Sequence, residues 1–118
     1  MNVRICKRLL REIAYEARFE LDSKKDLIAS IKKNSFKINW GNISTNKTLS
    51  EDFIREFKDY VIWSEISKYQ NLSEDFIIEF KNKVDWYSIY LHQKLSTEFH
   101  DKYISFVGGR YAITRENM

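Results

Sequence analysis

Proline is absent from this chain, and glycine occurs only at Gly41, Gly108 and Gly109. With so few residues that break or redirect the backbone, long loops and turn-rich β architectures are poorly served. Cysteine occurs once, at Cys6, so no internal disulfide can form. A lone thiol suits a reducing compartment, and Cys6 is expected to be a buried structural residue rather than a nucleophile. No apolar run approaches the roughly 20 residues of a membrane helix. Residues 1–13 scatter basic side chains without an apolar core, so no secretory leader is expected. What is abundant is aromatic: Phe, Trp and Tyr make up 15% of the 118 residues. Short helices, tight turns and an aromatic core are the expectation from that balance. The length is that of one domain.

The net charge of +3 conceals an asymmetry. Residues 1–38 carry ten Lys or Arg against five Asp or Glu, whereas residues 39–107 carry eight against eleven. A basic head therefore precedes an acidic body, which hints at an anionic partner for the head.

The body is a tandem repeat with a period of 23. Trp40, Trp63 and Trp86 are spaced by it, as are Ile43, Ile66 and Ile89. Leu49, Leu72 and Leu95 come next, then Ser50, Ser73 and Ser96, then Phe53, Phe76 and Phe99, then Val61, Val84 and Val107. Gapless self-similarity of this length marks stacked supersecondary units.

The middle copy shows how one unit is built. Trp63, Ile66 and Gln70 fall on one face of a short helix A. Asn71-Leu72-Ser73 interrupts it. Ser73 is placed to cap helix B, with Glu74 and Asp75 in its first turn where the helix dipole favours negative charge. Leu72 and Ile77 are spaced as a hydrophobic staple. Phe76, Ile77, Phe80 and Val84 form the apolar stripe. Helices this short are marginal alone, so each Trp and Phe is expected to find a neighbour in the next unit. Gln70 and Gln93 read as fasteners of the turn. Lys47 at that position implies a looser first joint. In the third copy His100 replaces the staple isoleucine and Asp101 comes after it, a polar end suited to capping an array.

A degenerate unit lies upstream, where Asp26-Leu27-Ile28 and Ile31 match Asp52-Phe53-Ile54 and Phe57 at an offset of 26. Three extra residues therefore fall within 33–38. Residues 3–21 would form its lengthened helix A, with Ile5, Leu9, Leu10, Ile13, Ala14 and Ala17 apolar and Arg4, Lys7, Arg8, Arg11 and Arg18 opposite. The expected fold is all-α, a solenoid-like stack of helix-turn-helix repeats behind a longer N-terminal helix. Its parts are 1–38, the copies 40–62, 63–85 and 86–107, and a tail 108–118 whose Gly108-Gly109 ends the last helix.

The phrase W-x-x-I-S-x-x-Q-x-L-S-E-D-F-I-x-E-F, complete from Trp63 to Phe80, resembles short tandem helical repeats of large DNA virus and phage proteins. The resemblance covers residues 40–107. It implies an interaction scaffold of viral or phage type, with no shared catalytic set, and by analogy a small protein that binds and blocks a host factor.

No reaction site is apparent. His92 and His100 lack a cysteine or carboxylate at ligand spacing, so neither metal nor cofactor is expected. Glu51-Asp52 and Glu74-Asp75 are explained as first-turn residues of capped helices. Gly108-Gly109 has no G-K-[ST] after it to cradle a phosphate. The expectation is a non-enzymatic, cytoplasmic protein-interaction module (in the host cell, if viral) acting against a defence factor. The candidate partner-binding residues are the basic Arg4, Lys7, Arg8, Arg11, Arg18, Lys24 and Lys25, and the copy-variable Tyr69, Ile78, Tyr87 and His92. The rival expectation is a nucleic-acid binder that tracks phosphates with the basic first helix.

Overall fold

The computed structural model describes residues 5–20 and 27–103, which are all-helical without a strand. Arg4, Lys24, Lys25, Val107 and the tail 108–118 lie outside the described residues. The chain divides into two compact units, Met1–Ile62 and Trp63–Met118. The division falls at the start of the second repeat copy.

The first unit opens with α1, Lys7–Glu16, which buries Leu10, Ile13 and Ala14. It stops five residues before the expected end. Arg18 stands beyond it at φ 64°, with its N–H bonded to the Tyr15 carbonyl and the Phe19 N–H to the Ala14 carbonyl. That pair of bonds is a Schellman closure, in which the left-handed position is normally glycine. Arg18 is thus a helix stop and not part of the helical stripe. Cys6, the residue before α1, is exposed rather than buried. Then come α2, Leu27–Lys33, and a 3₁₀ turn, Ser35–Lys37. α2 is the degenerate helix B: Ile31 is fully buried, as is its counterpart Phe57. The three extra residues go into the 3₁₀ turn, which leaves Phe36 80% exposed. The first copy comes after it as α3, Trp40–Asn46, and α4, Glu51–Glu56.

The second unit holds α5, Trp63–Tyr69, α6, Glu74–Glu79, and α7, Trp86–His92, and is helical again over 97–103. The repeat logic is realised closely. Ser50, Ser73 and Ser96 each accept a hydrogen bond from the backbone N–H three residues on, at 3.0–3.1 Å. Leu49, Ile54, Leu72 and Ile77 are all buried. Helix B ends earlier than its stripe suggests, at Glu56 and Glu79, yet Val61 and Val84 remain buried beyond the helix end.

Two features add to the repeat logic. The aromatic rings close within a copy. Trp40 lies 5.7 Å from Phe57, Trp63 lies 5.1 Å from Phe80, and Trp86 lies 6.0 Å from Tyr103. The helix-B partners Phe53–Phe57, Phe76–Phe80 and Phe99–Tyr103 are 4.7–4.8 Å apart. The indole N–H of Trp40 donates to the Ser35 carbonyl and that of Trp86 to the Lys81 carbonyl, in each case five residues back.

Polar side chains also tie each helix A to the chain that leads into the next one. Ser44 Oγ accepts from the Ile62 N–H at 3.0 Å, and Ser67 Oγ accepts from the Asp85 N–H at 2.9 Å. Both serines are fully buried, and each holds the residue just before the next tryptophan. Gln93 reaches back to the preceding copy. Its amide donates to the Ser67 and Gln70 carbonyls and its oxygen accepts from the Leu72 N–H. Glu74, beyond its place in the helix dipole, accepts from both the N–H and the hydroxyl of Ser96. α5 accordingly packs directly on α7. In the third copy the serine position is Tyr90 and the glutamate position is Thr97.

Ser67→Ala leaves the half-buried Asp85 N–H without its partner and should cost about 1–3 kcal/mol. Ser73→Ala removes an exposed cap and should cost about 1 kcal/mol. Urea denaturation of the two variants tests that order. Arg18→Gly should raise stability by about 0.5–1 kcal/mol, because glycine takes the left-handed position without strain; a lowered midpoint would contradict the assigned backbone.

Candidate interaction surface

Of the basic candidates that can be placed, Lys7, Arg8 and Arg11 lie on α1 and Arg18 lies beyond its end. Leu10, Ile13 and Ala14 face the core, Arg8 and Arg11 are exposed away from them, and Lys7 is exposed at the first turn. Arg8, Arg11 and Tyr15 stand at i, i+3 and i+7, so they line one helical face. Tyr15 is 83% exposed, more than any other large apolar side chain among the described residues.

The carboxylates of α1 are held off this face by Lys47. Its Nζ lies 3.0 Å from Glu12 and 2.9 Å from Glu16. In sequence, Lys47 occupies the glutamine position of the repeat. Where Gln93 grips the preceding copy through three backbone groups, Lys47 grips the preceding helix through two carboxylates. The first joint is therefore ionic. Hydrogen bonding to Glu16 and then to Glu12 raises the Lys47 pKa, against a smaller opposing effect of burial. Both carboxylates are about half exposed, at 50% and 45% of their side-chain surface. Water and salt therefore keep each pair to about 0.2–1 kcal/mol.

The copy-variable candidates lie in the second unit and do not converge on one point. Tyr69 and His92 are the last residues of α5 and α7, hold equivalent repeat positions, and are both exposed. Leu91 beside His92 is 53% exposed. Ile78 is half-buried and lines a wide groove with Glu74, Asp75, Glu98 and Phe99. Tyr87 is half-buried on α7. His100 is half-buried too, with its ring 5.0 Å from Tyr90.

Three exposed side chains were not singled out by sequence. Tyr15 carried a signal, since it sits seven residues after Arg8 on the charged side of α1. Phe36 falls in the insertion that breaks the repeat. Leu91 replaces Thr45 and Lys68 of the earlier copies, the kind of change that marks an outward position.

Among the described residues, no group of three or more His, Cys, Asp or Glu is placed to hold a metal ion, and no helix is long and apolar enough to cross a membrane. The chain matches no protein-family model, no curated protein and no solved structure.

Lys47→Ala should lower stability by at most about 1 kcal/mol per ion pair lost, and the loss should shrink as salt rises to about 1 M. A group whose folded pKa is raised contributes below its unfolded value, about 10.4 for lysine, and loses that contribution as pH climbs through the folded one. The gap between wild type and Lys47→Ala should therefore hold from neutral pH upward and close only in that alkaline range. Thermal melts across pH and salt read both effects. A gap indifferent to salt would show that Lys47 acts by packing alone.

Proposed function

We propose that this chain is a non-enzymatic protein-interaction module. The observation that carries the reading is the division of labour among its side chains. The residues repeated at the 23-residue period are occupied in capping, in the ring clusters or in ties along the array. The exposed positions, by contrast, differ from copy to copy: Lys68 and Leu91 stand where the half-buried Thr45 does in the first copy, and Asn46, Tyr69 and His92 share another position. A scaffold that holds its frame constant while varying its outward side chains is organised for recognition.

The finer reading is a viral or phage protein that binds and blocks a host defence factor in the cytoplasm. Its support is the resemblance of the Trp63–Phe80 phrase to tandem repeats of such proteins. The alternative is nucleic-acid binding through α1, favoured by its exposed Lys7, Arg8 and Arg11.

Affinity capture from source-cell extract, with the full chain as bait, should recover a specific protein. Exchanging Tyr69 and His92 for alanine should weaken that recovery by about fivefold or more if they act as contact residues. Recovery of nucleic acid alone, or of no protein at any salt, would count decisively against the reading.

A further inference from the structure

We propose that the outer face of α1, built on Arg8, Arg11 and Tyr15, is the docking surface for an acidic protein partner. The inference rests on the interaction-module reading and adds to it a location and a partner chemistry.

Three observations meet on this helix. First, its outward line carries Arg8 and Arg11, and among the described residues no ion pair engages them. Second, the carboxylates that would neutralise them, Glu12 and Glu16, are drawn to Lys47. The sequence alone shows a stripe of mixed sign; the fold sorts it into a basic line and a paired acidic flank. Third, Tyr15 completes the line while giving little to the core, since 83% of it is exposed. A large ring left in water beside two arginines is an unpartnered anchor. Tyrosine and arginine are the side chains over-represented at protein contacts and among their energetic centres.

The geometry also favours protein over nucleic acid. Arg8 to Tyr15 spans about 10 Å at 1.5 Å per residue. That length presents only two cations, Arg8 and Arg11, and a binder that neutralises so few phosphates gains little from counterion release. A folded partner can place two carboxylates against the guanidinium forks and an apolar slot against Tyr15, the arrangement in which arginine makes paired hydrogen bonds.

The test uses the full chain carrying a photo-crosslinking phenylalanine analogue in place of Tyr15, or separately in place of Tyr69, irradiated in source-cell extract. The expected result is a protein crosslink at position 15 to peptides rich in Asp and Glu. It should fall about tenfold or more in the Arg8→Glu, Arg11→Glu background, because the attraction becomes repulsion. Both arginines are exposed, so thermal melts of that variant should match the parent. Crosslinks at position 15 that run to nucleic acid, or that charge reversal leaves unchanged, overturn the proposal. So does a protein crosslink at position 69 with none at 15, an outcome that leaves the module reading standing. No protein crosslink at either position removes both.

Discussion

The ring cluster inside each copy is what allows helices of six and seven residues to exist in water. Such helices lie well below the length at which an isolated segment is stable. Each copy solves this by setting a tryptophan from helix A against an aromatic pair on helix B, with centroids 4.7–6.2 Å apart. Rings carry more buried area per residue than aliphatic side chains, and tilted contacts add to it. The aromatic wealth of the composition is thus a consequence of helix length: shorter helices offer fewer inward positions, so each must hold a larger group. The indole N–H groups of Trp40 and Trp86 need a partner when half-buried, and both find the carbonyl five residues back, at the turn that leads into helix A.

Polar groups then do what apolar packing cannot, which is to define register. Burial of phenylalanine tolerates sliding; the Asp85 N–H held by the buried Ser67 Oγ does not. The Gln93 side chain satisfies two carbonyls and one N–H of the copy before it, at the point where α5 gives way to the turn. Lys47 carries out the same task with charge instead of neutral hydrogen bonds. One repeat position therefore serves either a repeated neighbour or an unlike one, according to the side chain placed there.

Much of this architecture is legible in the sequence, for reasons that differ by residue. Helix starts are visible because a capping serine three residues before Phe53, Phe76 and Phe99 is a local device. The core is visible because its members repeat. Helix ends are not, since Phe57 and Phe80 continue an apolar stripe after the backbone has left the helix. Arg18 hides its role because a non-glycine residue in the left-handed region leaves no mark in composition. The intra-copy closure of the rings is hidden by the repeat itself: a residue that recurs every 23 positions is equally well placed to meet its own copy or the next. On the candidate surface, the basic side chains of α1 are evident, but their separation from Glu12 and Glu16 is not. That depends on Lys47, more than 30 residues away.

The last copy has one half of the joint and not the other. It offers Gln93 and Ser96 to the copy before it, but Tyr90 and Thr97 stand where a further copy would need serine and glutamate. Growth by duplication is consequently directional. A unit copied from residues 63–85 brings both halves and can be inserted between its neighbours, whereas one appended after the third meets a surface that no longer recognises it. Those two side chains therefore set which neighbour the third copy can receive by the joint that links the second to the third.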